Sequence, residues 1–331
     1  PSFLSCHPER VVYISYNELH LIHLFSDCVV IVMAKPRSQQ ISLIDTPYYH
    51  ICSRTVRKAF LCGIDKETGM SYEHRRTWIE QRIFQLQRVF SIDICAHAVM
   101  HNHLHLVLHV DSEQVKGWST VEVLTRWHQL FKGTLLTQEY CNKQPLDKFR
   151  LAIVESTAEI YKQRLIDISW FMRSLNEPIA RQANREDKCT GHFWEGRFKS
   201  QALLDEGALL SCMAYVDLNP VRNAIAPTPE QSAFTSIQLR IKAAIKGAQP
   251  SALLPFIGSE HQDKVTGIRF SLQDYLQLVD GTGRIIRDDK CGAINPQTAE
   301  ILTRLHISNE SWLKLTMNFE DIFTGAVGSA E

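Results

Sequence analysis

The chain has 331 residues, with 36 basic and 36 acidic side chains, so its formal net charge is zero. Hydrophobic residues make up 44% of the sequence, which is enough for an ordinary packed core in one or two domains. This neutrality argues against a protein that binds nucleic acid through a general basic excess, although local clusters of Arg and Lys can still do so. The nine cysteines include no C-x-x-C pair, so we expect reduced thiols in a cytoplasmic protein.

From residue 48 the pattern predicts strand, helix, strand, strand, helix, strand and helix. The predicted strands cover residues 48–53, 91–100, 103–110 and 192–201. The predicted helices cover residues 77–90, 121–136, 157–175 and 209–218, the last of which we expect to end at Pro220. Pro178 and its polar neighbours predict a loop over residues 176–190. Antiparallel strands covered on one face by helices make an α+β domain.

Two histidines, His103 and His105, lie in the second strand of the predicted hairpin. Residues two apart in a strand share a face, so the two imidazoles are expected side by side, with Leu104 and Leu106 turned to a core. This arrangement suits two adjacent ligands of one metal ion. An isolated His pair is nevertheless more often an ordinary pair of side chains, so the pattern needs a second observation.

That observation is Tyr215, which precedes Asn219 by one helical turn. On a helix, positions i and i+4 lie about 5–6 Å apart on one face, so a phenol and a carboxamide can converge. Two imidazoles and one amide oxygen tolerate Mg²⁺ or Mn²⁺, and they also admit zinc. The tyrosine oxygen could then attack a phosphodiester whose charge the metal neutralises. The alternative is a structural tyrosine that anchors a helix.

The segment His103-Leu104-His105 resembles the HUH motif (His, hydrophobic residue, His) of single-tyrosine transposases. Residues 191–200, GHFWEGRFKS, and 215–222, YVDLNPVR, are similar to two downstream motifs of the REP-associated tyrosine transposases within that family. The turn before the HUH motif usually carries Pro in the family, where this chain has His101. The resemblance covers roughly residues 33–226, with matching order and spacing.

This resemblance implies a ferredoxin-like antiparallel sheet with helices, of the HUH endonuclease type. It implies that Tyr215 attacks single-stranded or hairpin DNA and leaves a 5′-phosphotyrosine and a free 3′-OH. His103 and His105, with Asn219 as a third ligand, would hold a divalent metal, Mg²⁺ or Mn²⁺. No nucleotide cofactor is expected, because the phosphotyrosine conserves the energy of the phosphodiester and the sequence has no P-loop.

Basic residues near these motifs are candidate contacts to DNA phosphates: Arg54, Arg197, Lys199 and Arg222. The mixture of aromatic rings and cations over residues 192–200 also suits stacking on unpaired bases. For each basic residue, an exposed surface position without a DNA contact is an equally good interpretation.

Three regions are expected along the chain. Residues 1–32 are interpreted as a non-native or dispensable extension, because Met33 resembles the natural opening of a family member. Their apolar patches are interrupted by polar residues, so no membrane span is expected. Residues 33–226 form the transposase domain, and residues 227–331 a mostly helical C-terminal extension. That extension could recognise a DNA hairpin, contact a partner or cap the catalytic domain.

Within the extension, helices are predicted over residues 238–246, 271–279, 301–305 and 310–319, and a turn over 281–284. The resemblance leaves two oligomeric states open. Insertion-sequence relatives work as homodimers that share active sites, whereas REP-associated relatives can act as monomers, and the motifs favour the monomer.

The sequence therefore predicts a DNA transposase, acting as a single-strand endonuclease and strand transferase. The alternative is a non-cutting DNA-binding regulator or a domesticated transposase that keeps the fold. Intact His103, His105, Tyr215 and Asn219 favour the enzyme, because a non-cutting protein does not need this set.

Overall fold

A computed structural model describes residues 41–56, 60–65, 67–258 and 266–286, together with the backbone of residues 326 and 327. The strands are β1 (Tyr48–Arg54), β2 (Ile92–Val99), β3 (His103–Val110), β4 (Lys199–Leu203) and β5 (Ala326–Val327). The first helices are α1 (His74–Val89), α2 (Ser112–Lys116), α3 (Thr120–His128), α4 (Leu135–Cys141), α5 (Lys148–Arg164) and α6 (Ile168–Glu186). After β4 follow α7 (Glu206–Arg222), a 3₁₀ turn (Pro229–Gln231), α8 (Ser236–Ala244) and α9 (Leu272–Ile286).

The sheet has the strand order β2-β3-β1-β4-β5. The neighbours among β1 to β4 are antiparallel, which is the ferredoxin-like arrangement. The short β5 adds a parallel edge beside β4. The predicted α+β class, the ferredoxin-like sheet and the β2–β3 hairpin are therefore confirmed.

One face of the sheet is apolar. Tyr49, Ile51 and Leu106 are fully buried there, in one cluster with apolar residues of α1 and α6. Alternation along β3 sends Leu104 and Leu108 to the same cluster. This face supplies the larger part of the hydrophobic core.

The opposite face is covered by α7, so helices lie on both faces and not on one as the sequence predicted. Val107 and Leu203 pack there with the apolar residues of α7. The helix is buried from Gly207 to Pro220, because it lies between the sheet and the C-terminal helices. A helix that is apolar on all sides is typical of such a buried position.

The C-terminal helices are attached to α7 through one buried carboxylate, Asp217. Its Oδ2 accepts a hydrogen bond from the Tyr275 hydroxyl at 2.6 Å, and its Oδ1 accepts from the Ile237 backbone N–H at 2.9 Å and from Ser236. Burial raises the pKa of Asp217, and the hydrogen bonds from Ser236 and Tyr275 oppose that rise. Among the roles left open for the extension, these contacts fit a cap on the domain that precedes it.

Several predicted boundaries are wrong. The predicted loop over residues 176–190 is largely helix, because α6 continues through Pro178. Proline lacks an N–H, but the Ser174 carbonyl that it would have bonded accepts instead from Arg82 Nε at 3.0 Å. The predicted turn over residues 281–284 falls within α9, where Gly283 permits a close approach to Leu218.

Three other predicted elements are shorter or divided. The helix predicted over 121–136 is divided into α3 and α4, with Gly133 between them at a φ of 70°. The helix predicted over 157–175 is divided between α5 and α6. The predicted strand over 192–201 is reduced to β4, because Phe193 turns into the core and Trp194 Nε1 donates to the Asn176 carbonyl at 2.9 Å.

Some expectations lie outside the described residues: those for residues 1–32 and for the helices over 301–305 and 310–319. No helix in the described part of the chain combines the length and the apolar character that crossing a membrane requires.

Candidate active site

Strand pairing collects polar side chains on the face of the sheet that α7 covers. Residues directly opposite each other in antiparallel strands share a face. The residues that the register aligns on this face are Arg54, Cys52 and His50 of β1, His103 and His105 of β3, and Lys199 and Gln201 of β4. The sheet thus builds a basic, nitrogen-rich surface beneath α7.

The two histidines of the HUH-like segment are neighbours on this surface. The ring centroids of His103 and His105 are 4.8 Å apart and the rings are nearly perpendicular, at 89°. His105 is fully buried, whereas His103 is partly exposed at the end of the strand and its Nδ1 lies 2.7 Å from Asn102 Oδ1. The alternation expected from the sequence therefore holds for this pair.

Both histidines are neutral at neutral pH. Burial, with a smaller contribution from the Arg54 charge, lowers the pKa of His103 to about 4. Burial and the neighbouring His50 hold the pKa of His105 well below its ordinary value. A neutral imidazole is the form that binds metal ions, so the protonation state suits ligands.

The helix α7 brings Tyr215 and Asn219 to the same histidines. The Tyr215 ring centroid lies 5.5 Å from that of His105, with the rings at 86°. Asn219 Nδ2 lies 3.3 Å from His105 Nε2, although the two residues are 114 positions apart in the chain. Both helix residues are buried, at 8% exposure for Tyr215 and 4% for Asn219.

Pro220 does not end this helix, contrary to the sequence prediction. It lies inside the last turn, and α7 continues to Arg222. Asn223 then caps the helix, since its Nδ2 donates to the Asn219 carbonyl at 2.9 Å and to Asn219 Oδ1 at 2.8 Å. The continuation carries Arg222 over the Tyr215 ring, with Cζ 5.0 Å from the centroid.

The guanidinium of Arg222 is a buried cation. Its Nε, Nη1 and Nη2 atoms have no hydrogen-bond partner within the described part of the chain. Burial lowers the pKa of Arg222 to about 10, so the group is still charged at neutral pH. A buried polar group without a partner costs several kcal/mol, roughly 2–7, so this position favours an incoming anion.

The other predicted DNA contacts differ in position. Arg54 and Lys199 are exposed on the face of the sheet that carries the histidines. Arg197 is exposed too, but it lies in the irregular segment before β4, so the strand predicted over residues 192–201 is wrong at this position. The structure thus brings Arg54, Lys199 and Arg222 to the surroundings of the histidines and leaves Arg197 outside the strand.

Among the described residues, the predicted ligands His103, His105 and Asn219 are the set considered for a divalent metal. The described residues include no group of three or more His, Cys, Asp or Glu side chains arranged to hold a metal. Two neutral imidazoles and an amide oxygen nevertheless form an acceptable donor set, with water or phosphate completing the coordination. Asn219 turns its Nδ2 to His105, so binding through Oδ1 requires the amide to rotate and to release Asn223.

Sequence reasoning missed three residues next to this site: His50, Gln201 and Asn223. His50 Nε2 lies 3.0 Å from His105 Nδ1, and its Nδ1 lies 2.6 Å from Gln201 Oε1. The alternation in β1 shows that His50 and Cys52 share a face, but only the pairing register shows that this face also carries the histidines of β3.

No family model matches the chain, and no curated protein matches it. Among solved structures, the chain is similar to a REP-associated tyrosine transposase bound to a REP hairpin, with 13% sequence identity and a TM-score of 0.37, over 72% of this chain and 99% of that chain.

Proposed function

We propose that this chain is a metal-dependent tyrosine transposase that cleaves single-stranded DNA and transfers the cut strand through a covalent link to Tyr215. The observation that carries the proposal is the meeting of Tyr215 with His105, at 5.5 Å between ring centroids. The phenol would be the nucleophile, and the histidine pair would bind the metal ion that makes the attacked phosphate more electrophilic. The two come from elements far apart in the sequence.

The reaction is a phosphoryl transfer to the tyrosine oxygen. Tyr215 Oη forms a bond to the phosphorus, and the bond from phosphorus to the 3′ oxygen of the preceding nucleotide breaks. The phenol loses its proton and the departing 3′ oxygen gains one. A second strand's 3′-OH then attacks the 5′-phosphotyrosine and regenerates the phenol, so the number of phosphodiester bonds is unchanged and no nucleotide cofactor is consumed.

His103, His105 and Asn219 would hold Mg²⁺ or Mn²⁺, which neutralises charge on the attacked phosphate when bound. The low pKa values of the two histidines keep their nitrogens available at neutral pH. The Asn219 amide has to rotate for this role, and Asn223 can follow because it is exposed at the end of α7.

Arg222 would bind a non-bridging oxygen of the same phosphate. Its guanidinium lies above the Tyr215 ring and lacks a hydrogen-bond partner among the described residues, and two parallel N–H donors match a phosphate. Arg54 and Lys199, and Arg197 farther out, would contact the DNA backbone without reading its sequence.

We propose a stem-loop substrate because of the motif resemblance, and a monomer as the working unit. Tyr215, His105 and Asn219 meet within one chain, so a second copy is not needed to complete the site.

The test is covalent trapping. The protein is incubated with labelled hairpin DNA and Mn²⁺, and adducts that survive denaturing electrophoresis are counted. Tyr161→Phe is the matched control, since Tyr161 is a buried tyrosine that stacks on Trp127 in the apolar core. We expect the wild type and the control to form the adduct and Tyr215→Phe to form none; equal adduct in Tyr215→Phe would reject the proposal.

A non-cutting DNA-binding protein is the second candidate. It is favoured by one observation: both ring nitrogens of His105 lie within hydrogen-bonding distance of protein groups, His50 on one side and Asn219 on the other. Tight hairpin binding that is independent of metal, with no adduct in the wild type, would select this candidate.

A further inference from the structure

We infer that His50 and Gln201 are positioning residues that hold His105 as its Nδ1–H tautomer and so direct its Nε2 lone pair towards α7. This inference rests on the proposed function for its purpose, but it concerns residues for which the sequence predicted no role.

The four side chains form a continuous buried series. Gln201 Oε1 lies 2.6 Å from His50 Nδ1, and His50 Nε2 lies 3.0 Å from His105 Nδ1. His105 Nε2 lies 3.3 Å from Asn219 Nδ2. The four residues have exposures of 8% or less, so water does not compete freely for these bonds.

The two ends of the series determine where the protons are. An amide oxygen only accepts, so His50 Nδ1 must donate to Gln201, and Nε2 of a neutral His50 must accept. His105 Nδ1 therefore donates to His50. At the other end, the Asn219 amide group donates to His105 Nε2, and Asn219 Oδ1 accepts from Asn223 at 2.8 Å. Both ends thus require the same tautomer of His105.

His50 acts through His105 and not as a further ligand. Its ring is nearly parallel to the His105 ring, with centroids 5.2 Å apart and planes at 13°, and its Nε2 lies 3.0 Å from His105 Nδ1, so the two rings meet edge to edge. Partners of this kind fix the orientation and the basicity of a ligating histidine, and their loss typically lowers metal affinity or activity about 10–100-fold.

The tautomer can be measured without metal or DNA, by nitrogen NMR of protein labelled with ¹⁵N-histidine. We expect the His105 signals of the Nδ1–H form in the wild type and a gain of the Nε2–H form in His50→Phe. Gln201→Leu should cause a smaller gain, whereas Gln201→Glu, which keeps an acceptor, should retain the wild-type tautomer. The Gln201 pair keeps the test valid if His50→Phe fails to fold.

His109→Phe is the matched control, because it also removes a buried imidazole from β3, one that bonds to Asp93. It should leave His105 unchanged. In parallel, Mn²⁺ affinity measured by titration should fall about 10-fold or more in His50→Phe and remain unchanged in Gln201→Glu.

An Nε2–H tautomer of His105 in the wild type, or an unchanged Nδ1–H form in both His50→Phe and Gln201→Leu, would overturn the inference. These results are separate from the failure of the proposed function. Absence of cleavage by the wild type rejects the enzyme, whereas the tautomer of His105 is decided by the resonance alone.

Discussion

On one face of the sheet, β1 and β3 direct Tyr49, Ile51 and Leu106 into an apolar core with α1 and α6; on the other, the same strands direct His50 and His105 towards α7. Strand alternation makes both arrangements possible within a single run of residues. The two faces therefore have different roles. Apolar packing stabilises the fold on the α1 side, and nitrogen donors lie close together on the α7 side.

The two faces also differ in how burial is made favourable. On the α1 side, removal of apolar area from water is sufficient. On the α7 side, buried imidazoles and amides need partners, which the series from Gln201 to Asn223 supplies. The Arg222 guanidinium is one of the buried groups that lack a hydrogen-bond partner among the described residues, and it lies above the Tyr215 ring, which is why it marks a place for an anion.

The largest effect is expected from His103→Ala, which removes a donor from the α7 side and leaves the apolar face intact. Cleavage of hairpin DNA should fall by at least about 100-fold, because His103 is a proposed metal ligand and loss of such a ligand has a larger effect than loss of a supporting partner. DNA affinity and the melting temperature should change little, because His103 is partly exposed at the end of β3. The control is His101→Ala in the exposed turn. An equal loss of cleavage in both variants would mean that His103 has no special role in the site.

A smaller effect, on stability, is expected from Leu106→Ala. Leu106 is fully buried, so its truncation should lower the free energy of unfolding by about 2–5 kcal/mol. Leu106→Met, which nearly conserves volume, should cost less than about 1.5 kcal/mol. Urea unfolding measures both values. Cleavage per folded molecule should be retained, and its complete loss in folded Leu106→Ala would show that the two faces are not separable.

The smallest effect, on DNA binding, is expected from Arg54→Gln and Lys199→Gln, which change exposed residues on the sheet face that carries the histidines. Each variant should weaken hairpin binding by a few-fold and reduce the slope of log affinity against log salt by about 1, because one phosphate contact is lost. The control is Lys116→Gln, an exposed lysine that follows the other end of β3 and pairs with Glu113. If the salt dependence is the same in all these variants, Arg54 and Lys199 do not contact the DNA backbone.

Strands β1, β2 and β3, helix α1 and the shared face of His103 and His105 could be predicted because they depend on local periodicity. The helical spacing of Tyr215 and Asn219 could be predicted for the same reason. The positions of His50 and Gln201 next to His105 could not be predicted. They depend on which strands pair and in what register, and a local sequence pattern indicates neither.

The two errors at proline concern the same rule but have different physical reasons. Proline usually ends a helix because its N–H is missing, but distant groups can replace the lost bond. Arg82, 92 positions from Ser174, does so beside Pro178. Pro220 lies in the final turn of α7, where continuation to Arg222 completes the surroundings of Tyr215.

We propose that the strand histidines and Tyr215 form one DNA-cleaving site. To test this, the covalent protein–DNA adduct is digested and the modified residue is located by mass spectrometry. We predict a nucleotide phosphate on the peptide that contains Tyr215, linked through the tyrosine oxygen. The same adduct on any other residue would contradict a cleavage site built on Tyr215.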